Sequence, residues 1–220
     1  MHCPSCGHQN PEGATCCGAT CCGNSLLAPR AASQPAPTRD RLASSTFVGR
    51  EREMEELRAG LEGAFGGRGR LFLLAGEPGI GKTRLAEEFA TVARQRGAQV
   101  LWGQCWEGEG APAFWLWVQI VRSYVQHYSP DALAAEMGAG AADIAQVVSE
   151  VKERLPGLPG PPEIEPTQAR FRFFDSLTTF LKNAGSRQPL VLILDDLHWA
   201  DTPSLLLLSR TRAPPGRSAR

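Results

Sequence analysis

The stretch GEPGIGKT, residues 76–83, constrains this chain more than any other. It fits the pattern GxxxxGK followed by Ser or Thr, and the chemistry of an anion cradle calls for those residue types at that spacing. Gly76, Gly79 and Gly81 let the backbone wrap around a phosphate with its N–H groups turned inward, and a helix starting at the last positions adds its amides and the positive end of its dipole. Lys82 is placed to reach the β- and γ-phosphates of a nucleotide. Thr83 offers a hydroxyl to Mg²⁺, a hard cation that takes oxygen ligands. The candidate nucleotide-binding loop is therefore Gly76, Glu77, Pro78, Gly79, Ile80, Gly81, Lys82, Thr83 and Arg84.

The surroundings suit such a loop. RLFLLAG (70–76) is an apolar run that predicts a strand, and KTRLAEEFATVARQRG predicts a helix with Leu85, Phe89 and Val92 on one face. Upstream, GREREMEELRAGLEGAF sets Met54, Leu57, Leu61 and Phe65 at helical spacing before a Gly-rich break. Downstream, AQVLWGQC predicts a strand, PAFWLWVQIVRSYVQHY and AADIAQVVSEVKERL one helix each, and PGLPGPPEIEP a stiff loop of the kind that borders sites. TQARFRFFDSLTTFLKNAG predicts an amphipathic helix ending at Gly185, and PLVLILDD a continuous apolar strand of the kind covered on both faces in a parallel sheet. Alternating strands and helices indicate an α/β fold with a parallel, doubly wound sheet.

A second carboxylate site lies about 110 residues beyond the phosphate loop. In LILDDLHWAD the apolar strand delivers Asp195 and Asp196 at its carboxyl end, where open α/β sheets bind ligands. Asp195 is placed to hold the water shell of Mg²⁺, and Asp196 to orient or deprotonate an attacking water, the catalytic role. Two acids that merely cap a strand-to-loop turn would read the same way. His198 and Trp199 suit packing as well as ligand contact. Asp201 and Thr202 before Pro203 mark a helix start.

Composition sets the outer bounds. With 220 residues, 42% of them hydrophobic, the chain can build one fair-sized core and a small appendage. Lys and Arg total 23 and so do Asp and Glu, which gives the chain as a whole no electrostatic reason to seek nucleic acid or an anionic membrane. The longest apolar runs fall far short of the roughly 20 residues that span a bilayer, and the first residues show no signal-peptide pattern, so the expectation is a cytoplasmic protein. Six of seven cysteines fall within the first 22 residues; in a reducing compartment that favours a metal site over disulfides. Residues 27–44, rich in Ala, Pro and Ser, read as a flexible linker.

Three blocks in order, FVGRE (47–51), GEPGIGKTRL (76–85) and LILDDLHWAD (192–201), resemble the AAA-type, STAND-related ATPase domain found in large bacterial LuxR-type transcriptional regulators and beside class III adenylate/guanylate cyclases. GQCWEGEGAPAFWLWVQIVRSY resembles the family's segment after its second strand. The resemblance covers about residues 44–208, with the domain itself set at 45–208, and implies a P-loop NTPase fold that binds ATP with Mg²⁺ in a signalling role. It further implies that Phe47 and Val48 border the adenine and that Arg50 and Glu51 are structural or nucleotide-adjacent; a helix N-terminus with charged first-turn residues explains FVGRE equally.

The segment CPSCGHQNPEGATCCGATCCGNSL resembles the short zinc ribbon that begins proteins of this kind, which makes 1–26 a separate module. Its pattern matches at Cys3, Cys6 and Cys17, and its ending falls two residues late, at Cys22. The expected Zn²⁺ ligands are Cys3, Cys6, Cys17 and Cys22, with Cys21 a rival for the fourth position, Cys16 a bystander and an oxidisable tail the alternative. Such a ribbon could hold a protein partner. Cys105 is expected to be a core thiol.

In AAA-type sheets a sensor strand, later in sequence than the Asp-Asp strand, lies between it and the phosphate-loop strand. No such strand follows here, nor a helical lid, an arginine finger or an output domain, so the resemblance implies a fragment with an incomplete sheet in which both strands lack ladder partners. Arginine fingers contribute about 10³ to 10⁵ in rate, so weak hydrolysis or none is expected. Residues 209–220 read as an irregular tail. The competing reading is a zinc-ribbon interaction module beside an ATPase remnant.

Overall fold

The computed structural model describes residues 47–108, 110–160 and 165–211. The expected zinc ligands Cys3, Cys6, Cys17 and Cys22 and the linker lie outside those residues. The chain divides into two units, Met1–Val48 and Gly49–Arg220, and the architecture below is that of the second.

Helix α1 (Glu51–Phe65) buries Met54, Leu57 and Leu61, and carries Glu51 and Glu53 in its first turn, where carboxylates complement the helix dipole. The apolar stripe stops at Leu61, since Phe65 in the last turn is largely exposed. Helix α2 (Lys82–Gln95) buries Leu85 and Phe89 together with Ala86, Ala90 and Ala93, so small side chains rather than Val92 complete its inner face.

Strand β1 (Gln99–Gln104) pairs in parallel with β2 (Leu190–Asp195), from Gln99 opposite Leu190 to Gln104 opposite Asp195. A parallel pair needs a long crossover, and here the connection is helical: α3 (Trp115–His127), α4 (Pro130–Met137), α5 (Ala141–Ala145), α6 (Ser149–Arg154) and α7 (Pro166–Arg187). These helices supply most of the core, including Trp117, Tyr124, Leu133, Ile144 and Phe180, with Leu101 entering from β1 and Leu207 from α8 (Thr202–Thr211). At Gly103, α3 presses directly on β1: a Cβ there would sit 2.6 Å from the Leu116 carbonyl oxygen. Two buried carboxylates are satisfied within the crossover, as the cost of burying a charge demands. Glu136 accepts from the Tyr124 hydroxyl at 2.6 Å and from Arg187 at 2.9 Å, while Asp143 pairs with Arg172 at 3.0 Å and accepts from Ser176 at 3.0 Å.

Several sequence expectations are corrected. RLFLLAG forms no strand: residues 70–76 lie outside the sheet, with Leu71 55% and Leu73 78% exposed, although Phe72 reaches the α1 surface, where a Cβ on Gly60 would meet its ring. A strand requires a ladder partner, and the two-stranded sheet offers this segment none. β2 does have a partner, β1, contrary to the expectation that both strands would lack one. Having a strand neighbour only on that side among the described residues, β2 is half-buried throughout rather than covered on both faces.

The helix expected across 141–155 is two helices, interrupted where the β-branched pair Val147 and Val148 gives way and Val148 turns extended. α4 is an additional helix, capped by Ser129, whose hydroxyl accepts from the Ala132 N–H. α7 runs past Gly185 to Arg187, and α8 continues to Thr211, so residues 209–211 are helical, with Arg210 on Asp175 at 3.1 Å.

Candidate nucleotide site

The loop from Gly76 to Gly81 is exposed and leads straight into α2. Gly79 and Gly81 have φ of +78° and +94°, the left-handed region that side chains resist, and a Cβ at either would meet nothing within 4 Å. Glycine is required there for the backbone path alone. Lys82 folds back over the loop, its Nζ donating to the carbonyls of Gly76 at 3.0 Å and Glu77 at 2.9 Å. The ammonium thus already stands where the cradle closes. From α1's approach, Arg50 donates to the Ile80 carbonyl at 3.1 Å and pairs with Glu53 at 2.7 Å, which ties the start of α1 to the glycine loop. Arg84, the next position after Thr83, pairs with Glu88 at 2.5 Å.

Across the sheet, β2 brings its last residue to the start of α2. Thr83 Oγ1 lies 3.3 Å from Asp195 Oδ2 and 3.4 Å from Oδ1, joining positions 112 residues apart in sequence. The Asp195 carboxylate also accepts from the Asp196 N–H at 3.1 Å. Asp196 has a left-handed backbone, φ +56°. Its Oδ2 accepts instead from Gln104 Nε2 at 2.9 Å, at the end of β1.

Just beyond Gln104, Cys105 is buried and its N–H donates to the Asp195 carbonyl at 3.1 Å. Burial, then the negative charges of Asp201, Asp196 and Asp195, push the thiol up to about 11. The core-thiol expectation for Cys105 fits that burial. Asp201 caps α8 by accepting from the Ser204 N–H at 3.2 Å and takes the Phe114 N–H at 3.4 Å ahead of α3. His198 and Trp199 are exposed and pack on one another, their ring centroids 5.2 Å apart. Phe47 is half-buried and Val48 exposed; both belong to the first unit.

A threonine hydroxyl and a carboxylate beside an exposed anion cradle suit Mg²⁺, which keeps several waters and takes few protein ligands. The described residues hold no cluster of three or more His, Cys, Asp or Glu side chains able to cage a metal by themselves. Among them, too, no helix is long and apolar enough to cross a membrane. Sequence reasoning missed Gln104, whose amide meets Asp196. The signal for Gln104 was its place: a polar residue closing a strand that lies beside the Asp195 strand.

Comparison with known proteins is consistent with this geometry. A family model described as AAA ATPase domain matches residues 46–217. The chain is similar to an uncharacterized protein of Rhizobium meliloti (strain 1021), 27% identical over 178 residues that cover 74% of this chain and 16% of that protein. The chain thus spans less than a fifth of that relative's length. No solved structure matches.

Proposed function

The chain belongs to the AAA ATPase domain family, and from that premise we propose that it binds ATP with Mg²⁺ as a signalling module and turns it over weakly, if at all, on its own. The observation that carries this reading is the convergence of Thr83 and Asp195 at 3.3 Å beside the phosphate loop. In this reading the N–H groups of Gly76 to Thr83 and the start of α2 bind the phosphates, and Arg84 completes the segment. Lys82 exchanges its two carbonyl partners for phosphate oxygens. Thr83 and Asp195 hold Mg²⁺, which would neutralise charge on the phosphate oxygens. Phe47 and Val48 border the adenine.

Asp196 orients or deprotonates the attacking water. The surroundings of the loop support slow turnover. Its nearby arginines, Arg50 and Arg84, are engaged by Glu53 and Glu88, so a cation for the transition state would have to come from elsewhere. Cytoplasmic residence, a zinc ribbon on Cys3, Cys6, Cys17 and Cys22 and a protein partner docked there belong to the same reading, by resemblance to STAND-related regulators.

The test is calorimetric titration with Mg-ATP. Binding by the wild type and its loss in Lys82→Ala supports the reading; equal affinity in the two sinks it. One zinc per purified chain supports the ribbon, and a metal-free chain removes it.

A further inference from the structure

We infer that a cleft on the helical crossover is a second binding site, for a small zwitterion of the amino-acid class that carries a carboxylate, an ammonium group and an apolar body. No residue of the nucleotide site lines it.

The cleft has a volume of about 320 Å³ and lies between α4 and the residues that follow α6. Folds hold small ligands in spaces of that size. Pro130, Ala134, Leu155 and Leu158 make its walls apolar, and its two charged residues are Asp131 and Arg154. Two further lining residues, Gly138 at the end of α4 and Gly157 beyond α6, have left-handed backbones, φ +51° and +93°. The turns they make shape the cleft, and a side chain at either would strain that backbone.

Arg154 closes α6, and its Nη2 donates to the Tyr128 carbonyl at 2.5 Å. Tyr128 is a firm seat. Its ring stacks on Tyr124 with centroids 4.2 Å apart and carries the Arg187 guanidinium on its face at 5.0 Å, while its hydroxyl donates to Gln188 at 3.0 Å. The Arg154 guanidinium is therefore oriented before any ligand arrives, which lowers the ordering cost of binding. It is also unfinished: its Nε is buried and, among the described residues, has no hydrogen-bond partner. Native folds rarely leave a buried donor unmet.

A guanidinium presents its N–H groups as a fork that matches the two oxygens of a carboxylate. Among the described residues no carboxylate forms an ion pair with Arg154, and Asp131, exposed in the first turn of α4, forms none either. Opposite charges that share a cleft without pairing suit a ligand that brings both signs, its carboxylate to Arg154 and its ammonium to Asp131. A plain anion would meet repulsion from Asp131, and a plain cation repulsion from Arg154. The apolar walls then cover the ligand's side chain.

The test uses the full chain and three probes of one shape: L-leucine, isocaproate, which lacks the ammonium group, and isoamylamine, which lacks the carboxylate. In ¹⁵N spectra L-leucine should shift the Gly138 and Gly157 amide signals saturably, and each single-charge probe should bind about tenfold more weakly, the scale of one lost contact to a charged group. Asp131→Asn should bring L-leucine down to the level of isocaproate. Ala134→Phe, on an exposed helix position, should fill the cleft and abolish the shifts while the thermal midpoint stays near wild type. Arg154→Gln should abolish binding of L-leucine and isocaproate alike; because it also gives up the Tyr128 contact, the other two variants decide. No saturable shift with L-leucine, equal affinity for the three probes, or undiminished binding in Asp131→Asn and Ala134→Phe overturns the site.

Discussion

Thr83 and Asp195 meet at 3.3 Å although, among the described residues, the sheet that carries Asp195 contains only β1 and β2. Position at this site is therefore carried by α2 and β2 themselves: α2 starts at Lys82 and β2 ends at Asp195, so both elements terminate at the same place. If that pair holds Mg²⁺, its removal must show in the metal dependence of binding rather than in binding at large. Thr83→Ala should weaken Mg-ATP binding about tenfold, the scale of one lost oxygen partner to a charged group. Affinity for ATP in EDTA should not change. Calorimetry with and without Mg²⁺ reads both; equal losses in the two conditions would show that Thr83 shapes the loop instead of serving the metal.

Residues 69–75 lead into the phosphate loop without a ladder, and Leu71 and Leu73 stand in solvent. Local stability follows backbone pairing and burial. Amides of 71–75 should therefore exchange with solvent far faster than those of Leu101 and Trp102 in β1, by about a hundredfold or more in native-state hydrogen exchange. Protection equal to that of β1 would contradict the arrangement.

How far the sequence foretold this molecule depends on how local each signal was. The glycine loop and the helix start after it were legible because both are properties of nine consecutive residues. Asp195 and Asp196 were legible because an apolar run ending in acids defines itself. The segment before Gly76 was misjudged for the opposite reason: Leu71 to Leu74 are apolar enough for a strand, but a strand exists only with a partner, and partners are decided elsewhere in the chain. α4 carried its own start signal, Ser129 before Pro130, obscured by a short and alanine-rich body. Gln104 could not be assigned to Asp196 without the register that sets Gln104 opposite Asp195.

The buried carboxylate of Glu136 links α3, α4 and α7, and its two partners are not equivalent. Tyr124 is buried with its hydroxyl on Glu136 and beside Tyr128, while the Arg187 side chain is 53% exposed and can swing into water. Glu136→Leu should thus destabilise the fold by about 1–3 kcal/mol, chiefly by taking the carboxylate acceptor from the Tyr124 hydroxyl. Arg187→Ala should cost less in the arginine itself and more through the carboxylate left behind. Adding Tyr124→Phe to Glu136→Leu should recover part of the loss, because the orphaned hydroxyl goes with it. Urea unfolding of the three single variants and the pair measures this; strictly additive losses would mean that the hydroxyl is satisfied in some other way.

Cys105 offers a readout of the same end of the sheet through pH. Burial, reinforced by Asp201, Asp196 and Asp195, moves its thiol from the ordinary value of 9.0 up to about 11, so the folded state holds the proton more tightly than the unfolded chain does. The sign follows: this contribution to stability is complete below pH 9 and is lost as the pH rises from about 9 to about 11. Cys105→Ala should flatten the alkaline side of the stability profile across that window. The thiolate is also the reactive form, so native Cys105 should resist iodoacetamide at pH 8 and react promptly in denaturant. Modification at the denatured rate in the folded protein would place the thiol outside the carboxylate-lined, buried setting in which β1 leaves it.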